Sequence, residues 1–372
     1  YKHRSREVLV ALARMPDYRS RIQGHLLGRR GRDNPEEDLV SPPEDEQKLT
    51  TMLGLVDKLL DRCEETTRKT SRNILCWLRS TRSGASYPKP FTLVRHPAST
   101  KKYRWFWKRA LLFVFRAHRL DSAVREKMTG IRLKRKLTAL LEEAWDHPFW
   151  MTDEEENDDI EEEDDDSEYD DEDCEGENEG EGEDEGEDED ENIHNYKPED
   201  SGEREDGRGL CDGVQPKEKG EKHEDDKQAG TDSTEELVEI LFGLSLALCT
   251  EHLIDGQPNS TVLVYFSGVL GFSKTSNRFL PARSYTTFLS GLIYIQRLLF
   301  LERALPFRSY PTLGIDHRPR TKQLDRLKKI RERYMVVGSQ SAFEEFISLR
   351  SYGRVMARSD TPPILLRWSE DG

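Results

Sequence analysis

The run YTTFLSGLIYIQRLLFLERAL, residues 285–305, is the most apolar stretch of the chain, and its spacing is helical. Tyr285, Phe288, Leu289, Leu292, Leu299 and Phe300 recur at helical steps, which places them along one side of a helix. Pro281 lies near its start and Pro306 ends it, because proline cannot donate to the helical ladder. Arg297, Glu302 and Arg303 interrupt the run, whereas a membrane span needs about 20 predominantly apolar residues. Leu237–Leu248 is too short for a span and includes Glu239. Residues 285–305 therefore read as the core helix of a helical protein, and no membrane partner is expected.

Neighbouring segments carry the same period. Downstream, Leu324, Leu327, Ile330 and Tyr334 line a helix whose outer face holds Arg326, Lys328, Lys329, Arg331 and Arg333. Ser341-x-x-Glu344 is a capping signal for a last helix reaching about Met356. Upstream, Ser233-x-x-Glu236 has the form of a capping box opening Leu237–Cys249. Thr261–Phe266 is the one good strand candidate, with helix possible there too. In the first half, apolar positions from Leu49 to Trp77 predict one long helix over 46–79, or two joined near Thr66–Thr70. Ser99 can cap a helix through Tyr103, Trp107 and Val114, Asp121 a shorter one that stops at Gly130, and a third covers about Leu133–Trp145.

Between the two helical stretches the composition changes abruptly. From Asp153 to Glu191, 29 of 39 residues are Asp or Glu and none is Lys or Arg. The net charge of −16 therefore hides a basic protein: outside this tract 57 basic residues face 44 acidic ones, and residues 1–152 alone hold 32 against 18. Like charges with few apolar residues cannot bury enough surface to offset chain entropy. Residues 153–232 are expected to be one disordered acidic linker. The fold class is then all-α: a basic, poorly defined segment 1–45, a basic aromatic-rich helical module 46–152, the linker, and a second helical module 233–372. The chain opens on Tyr1 and closes on WSEDG (368–372) without a helix end, so it reads as a piece of something longer, cut short at its C-terminus.

No complete catalytic constellation is legible, and the chain is expected not to be an enzyme. Gly268–Thr275 approaches the phosphate-loop pattern GxxxxGK[ST], but Ser273 stands where the second glycine must let the backbone approach phosphate, and no acidic strand follows to hold magnesium. His317-Arg-Pro-Arg320 with Tyr352 has the outline of a recombinase HxxR motif and nucleophilic tyrosine, whose chemistry needs clustered cations around the attacked phosphate. The further upstream arginine it needs would fall in the linker, and Pro319 disfavours a helix-borne motif. Five cysteines with no CxxC pair and an odd count point to reduced thiols, and the dispersed His and Cys lack zinc-finger spacing. No cofactor or metal is expected.

The strongest functional candidate is basic. Lys101, Lys102, Arg104, Lys108, Arg109, Arg116, Arg119, Arg132, Lys134, Arg135 and Lys136 are interleaved with Trp105, Phe106, Trp107, Phe113 and Phe115. Such cations can neutralise successive phosphates and release counterions, and exposed aromatics can stack on unpaired bases. The aromatic spacing is explained as well by burial, and the cations by solubility. Arg326–Arg333 offers a secondary basic surface, and Arg132–Lys136 a nuclear-import patch. The acidic tract reads as a solvating spacer, as a tethered competitor for the basic residues, or as a docking segment for basic proteins such as histones.

Several stretches together resemble a group of large fungal proteins that includes the OrsD-like proteins and the telomere-linked RecQ-type helicase-like proteins. They are RKTSRNILCWLRST (68–81), YPKPFTLV (87–94), YRWFWKRALLFVFRAHRLD (103–121), LVYFSGVLGFS (263–273), YTTFLSGLIYIQRLLFLERALPF (285–307), GSQSAFEEFISLRSYGRVMARSDT (338–361) and WSEDG (368–372). The resemblance covers about half the chain and implies a non-helicase segment of such a protein. It carries over no catalytic residue, because the zinc-finger-like region and helicase motifs of some members have no counterpart here.

The expectation is a nuclear, or otherwise cytoplasmic, non-enzymatic DNA-associated binding or scaffolding segment of a mobile-element or helicase-like protein. A protein-interaction module that binds basic partners through the acidic tract is one alternative. A recombinase-like strand-transfer enzyme using Tyr352 is the other.

Overall fold

Helix α10 (Ala282–Ala304) holds all of the apolar run 285–305 but Leu305, and packs on the helices Pro43–Arg68, Pro97–Arg119, Gln323–Tyr334 and Ala342–Ala357. The computed structural model describes residues 3–29, 38–151, 225–251, 260–273 and 278–357. Among these, twelve helices and one two-stranded sheet are formed, so the fold is all-α. The acidic tract and residues 152–224 as a whole lie outside the described residues.

The first 45 residues hold more structure than their composition suggested. Helix α1 (His3–Leu12) and helix α2 (Tyr18–Gln23) precede an antiparallel pair, β1 (His25–Gly28) and β2 (Leu39–Ser41). Val8, Leu9, Leu12 and Ala13 of this segment belong to the main core. Helix α3 (Pro43–Arg68) starts on a proline that supplies a preset φ, and Glu44, Asp45 and Glu46 complement the positive end of its dipole. It stops where Thr67 and Thr70 turn their hydroxyls back to the carbonyls of Cys63 and Thr66, and α4 (Arg72–Arg79) follows.

Helix α5 spans Pro97–Arg119, beginning two residues before the expected Ser99 cap because Pro97 is preorganised for a first turn. Helix α6 (Ser122–Thr129) is capped by the Asp121 carboxylate and ends at Gly130, whose φ of 71° is left-handed backbone. Helix α7 covers Arg135–Trp145. Beyond the linker, α8 runs over Asp225–Cys249, so Ser233 and Glu236 lie inside this helix and do not open it, and the last residues assigned to the linker are helical. The strand candidate is also corrected: Thr261–Tyr265 is a helix, α9, capped by Ser260 and continued by a π turn over Phe266–Leu270. A short apolar run packed on all sides has no period that separates strand from helix. Helices α11 (Gln323–Tyr334) and α12 (Ala342–Ala357) complete the order, the latter with Ser341 Oγ accepting from the Glu344 amide at 3.1 Å.

The two helical stretches expected as separate modules are joined into one compact unit. Helix α10 of the second stretch packs on α3 and α5 of the first as well as on α12. Arg297 donates to the Arg79 carbonyl at 2.9 Å, Arg331 to that of Ser80 at 2.9 Å, and Tyr265 Oη to that of Phe106 at 3.0 Å. These bonds satisfy groups that burial would otherwise leave costly.

Gly291 marks the closest approach of α10 to α5. A Cβ there would lie 2.7 Å from Tyr103 Cδ1 and 2.8 Å from Phe106 Cδ2. Gly291→Ala is expected to destabilise the protein by about 1–3 kcal/mol, since an extra methyl in a packed contact forces neighbours off their rotamers. Gly54 of α3 has no atom within 4 Å of such a Cβ, so Gly54→Ala should instead gain about 0.5–1 kcal/mol of helix propensity. Thermal melts of the two variants should move in opposite directions; movement the same way contradicts this packing.

Candidate nucleic-acid interface

Most of the basic face expected over residues 101–119 is not a free surface. Helices α3 and α5 run antiparallel, and their charges interlock along the contact. Arg104 donates to Asp61 at 2.7 Å and to Glu64 at 2.8 Å, Lys108 pairs with Asp57, and Arg119 donates to Asp45 at 3.1 Å. Arg116 and Glu46 form a bidentate pair with bonds of 2.9 and 2.6 Å, both side chains about 1 % exposed or less. The third nitrogen of Arg116 donates to the carbonyls of Ala11, Leu12 and Arg14, so each of the three guanidinium nitrogens has an acceptor. Arg109 is buried too, donating to the Ala13 carbonyl at 2.9 Å and lying 4.2 Å from the Trp105 ring centre. Arg109 and Arg116 cannot reach a phosphate, and Arg104, Lys108 and Arg119 are committed to carboxylates.

Four of the five interleaved aromatics are core, and Trp105 is half-buried beneath Arg109. Phe106, Trp107, Phe113 and Phe115 are buried, and Phe106 meets Phe288 of α10 edge to face at 5.1 Å. Stacking on bases by these rings is excluded by their burial. Arg132 is exposed but pairs with Glu126 at 2.7 Å. Lys101 and Arg135 lie at the surface, and Lys102 and Lys134 are half-buried. The secondary surface divides by helical phase: Arg331 is buried against Ser80 and Arg82, and Lys328 sits 4.2 Å from the Trp77 ring centre. Lys329 and Arg333 face elsewhere.

Where they face is a cleft of about 390 Å³. Helix α7 brings Lys136 and Leu140 to it, four residues apart on one face, and α11 likewise brings Lys329, Ile330, Arg333 and Tyr334. Helix α8 supplies the floor with Gly243, Leu246 and Ala247, Thr250 follows just after its end, and α10 adds Phe300 and Arg303. Leu313, from the loop after α10, closes one side. Gly243 makes this closure possible: a Cβ there would meet Leu313 Cδ2 at 2.9 Å and Leu140 Cδ2 at 3.6 Å. Phe300 and Tyr334 stack with centres 5.8 Å apart and planes 6° apart.

The cleft carries four cations and no carboxylate. Lys136, Arg303, Lys329 and Arg333 have no ion pair among the described residues; Arg333 lies 5.2 Å from the Tyr334 ring centre. Low-dielectric walls concentrate the field of such a group, so a polyanion is the chemical class it attracts. Lys136 is the one residue of the expected 101–136 set that the structure places here, joined by Lys329 and Arg333 of the expected secondary surface. Arg303 was not foreseen, because in sequence it belongs to the most apolar helix. Its position at 303, three residues after Phe300, was the available signal.

The near-miss motifs form no site among the described residues. Gly268 lies in the π turn with Leu9 packed against it, which is not the strand–loop–helix geometry of a phosphate loop; Lys274 and Thr275 are outside the described residues. No hydrogen bond joins exposed His317 to Tyr352 of α12 among the described residues, and Arg318 is spent on the carbonyls of Leu305, Lys69 and Thr66. No three His, Cys, Asp or Glu side chains cluster for a metal among the described residues, and none of the described helices is long and apolar enough to cross a membrane. Cys63 and Cys249 are buried, and burial pushes both thiols up, away from the reactive thiolate.

Glu302, beside Arg303 but turned inward, is a different kind of charge. It accepts from Tyr310 Oη at 2.7 Å, and burial pushes its carboxyl up to about 7 from 4.5. The fold favours the protonated form, so its contribution to stability is full below about pH 4.5 and is lost as pH rises through about 7. Unfolding free energies at about pH 5 and about pH 8 should fall by about 2–3 kcal/mol more for the native chain than for Glu302→Gln. Equal pH dependence of the two proteins would sink this assignment.

No family model, no curated protein and no solved structure matches this chain.

Proposed function

We propose that this chain is a non-enzymatic, nucleic-acid-associated binding segment whose phosphate contacts are made in the cleft between α7, α8, α10 and α11. The observation that carries the reading is the contrast between cations. Arg104, Lys108, Arg116 and Arg119 of α5 are matched by carboxylates of α3, whereas Lys136, Arg303, Lys329 and Arg333 line one cleft and have no ion pair among the described residues. Unpaired like charges held together repel one another, and a fold tolerates that at low cost only where water or an anionic ligand screens them. A nuclear setting and a scaffolding role in a larger mobile-element or helicase-like protein belong to the same proposal. They rest on the import-like run Arg132–Lys136 and on the resemblance. The acidic tract enters as a competing polyanion.

Fluorescence anisotropy with labelled DNA across a salt series tests the reading. The chain with Lys136, Arg303, Lys329 and Arg333 all changed to Ala should bind far more weakly, Arg132→Ala should bind nearly as the native chain does, and deletion of 153–191 should tighten binding. Undiminished binding by the fourfold variant would remove the cleft from the mechanism. Retention of a basic protein partner that is lost on deleting 153–191, with no DNA binding at low salt, would select the protein-interaction module.

A further inference from the structure

We infer that the ligand of the basic cleft is a nucleotide unit of an unpaired strand, with its phosphates on the cationic rim and its base against the apolar floor. The inference rests on the phosphate-binding reading above and adds the state of the nucleic acid.

Three features point to it. The first is the mixed lining: Leu246 of the floor, with Leu140 and Leu313 at its sides, gives the cleft an aliphatic surface beside the cations. Binding to phosphate alone requires no such floor, because cations on a convex surface neutralise a backbone equally well. An apolar floor gains free energy only when something apolar covers it, and the face of an unpaired base is the apolar part of a nucleotide. The second feature is size. A volume of about 390 Å³ falls in the range of sites that enclose a small molecule. A duplex keeps its base faces stacked inside and presents only its edges and backbone, so it would leave the floor uncovered. The third is the number of cations. Four unpaired charges exceed what a single phosphate neutralises, which favours a unit followed by further phosphates along a chain over a free nucleotide.

Gly243 is the residue that shapes the floor. Its missing side chain lets Leu313 approach α8, and the closing wall depends on that approach.

The test compares four probes on the full chain at one salt concentration: a labelled oligothymidine, an abasic strand of the same length, a duplex of the same length, and thymidine monophosphate as a competitor. The oligothymidine should bind about tenfold or more tighter than the abasic strand, which carries the same charge but no bases. Leu140→Ala with Leu313→Ala should erase that difference. The monophosphate should displace the strand only at large excess.

Equal affinity for the abasic strand or the duplex overturns the inference; it needs no variant, so a poorly folded leucine variant cannot mask it. In that outcome the phosphate reading survives if the fourfold alanine variant still weakens every probe. Displacement by equimolar monophosphate also overturns the inference, assigning the cleft to a free nucleotide. If the fourfold variant changes nothing, the phosphate reading fails and takes this inference with it.

Discussion

Glu46→Ala is expected to cost the fold about 3–5 kcal/mol, the loss typical when one partner of a buried ion pair is removed. The reason is the state in which it leaves Arg116. With Glu46 present, two of its bonds go to the carboxylate and the rest to three backbone carbonyls. Without it, a guanidinium about 1 % exposed retains its charge in a low-dielectric site, with only neutral acceptors around it. The carbonyls it holds belong to Ala11, Leu12 and Arg14, so the packing of α1 and the turn after it should loosen first. Urea unfolding should show a lower midpoint, and hydrogen exchange should report early opening over residues 6–14. Glu46→Ala combined with Arg116→Met should recover much of the loss, because the buried charge is then gone and a side chain of similar volume remains. A single variant as stable as the native chain would show that the pair is not buried as described.

The fourfold cleft variant should produce the largest change in function. Each phosphate neutralised on a single strand releases about 0.7 of a counterion, and on a duplex about 0.9. Loss of four such contacts should flatten the slope of log affinity against log salt by about 3. At about 0.1 M salt the same contacts amount to a fall of about two to three powers of ten in affinity. Arg132→Ala, which removes a cation paired with Glu126 at the surface, should shift the slope by less than about one. A fourfold variant with an unchanged slope would mean that the counterions are released elsewhere. The stability of the variant should not fall, since none of the four side chains has an ion pair to lose among the described residues.

The period of the apolar residues carried most of the helical architecture. The stripe from Tyr285 to Phe300, the stripe from Leu324 to Tyr334 and the Ser341 cap correspond to α10, α11 and α12, because a helix that buries one face must repeat its apolar residues at that spacing. The hairpin was not legible, since four- and three-residue strands are too short to show alternation. Thr261–Phe266 misled for a related reason: packed on every side, it has no polar face to betray its period.

What the sequence by itself determined is the all-α class, the position of the acidic break and the surplus of cations outside it. These follow from local composition and spacing. Only the tertiary structure decided what each cation does, because a charge acquires its partner across the fold. Arg104, Lys108, Arg116 and Arg119 meet carboxylates that precede them by 40 to 74 residues, and that pairing converts an apparent nucleic-acid face into an internal seam. Lys136 and Arg333 stand 197 positions apart in the chain, and they share a cleft because the two helical stretches close around α10.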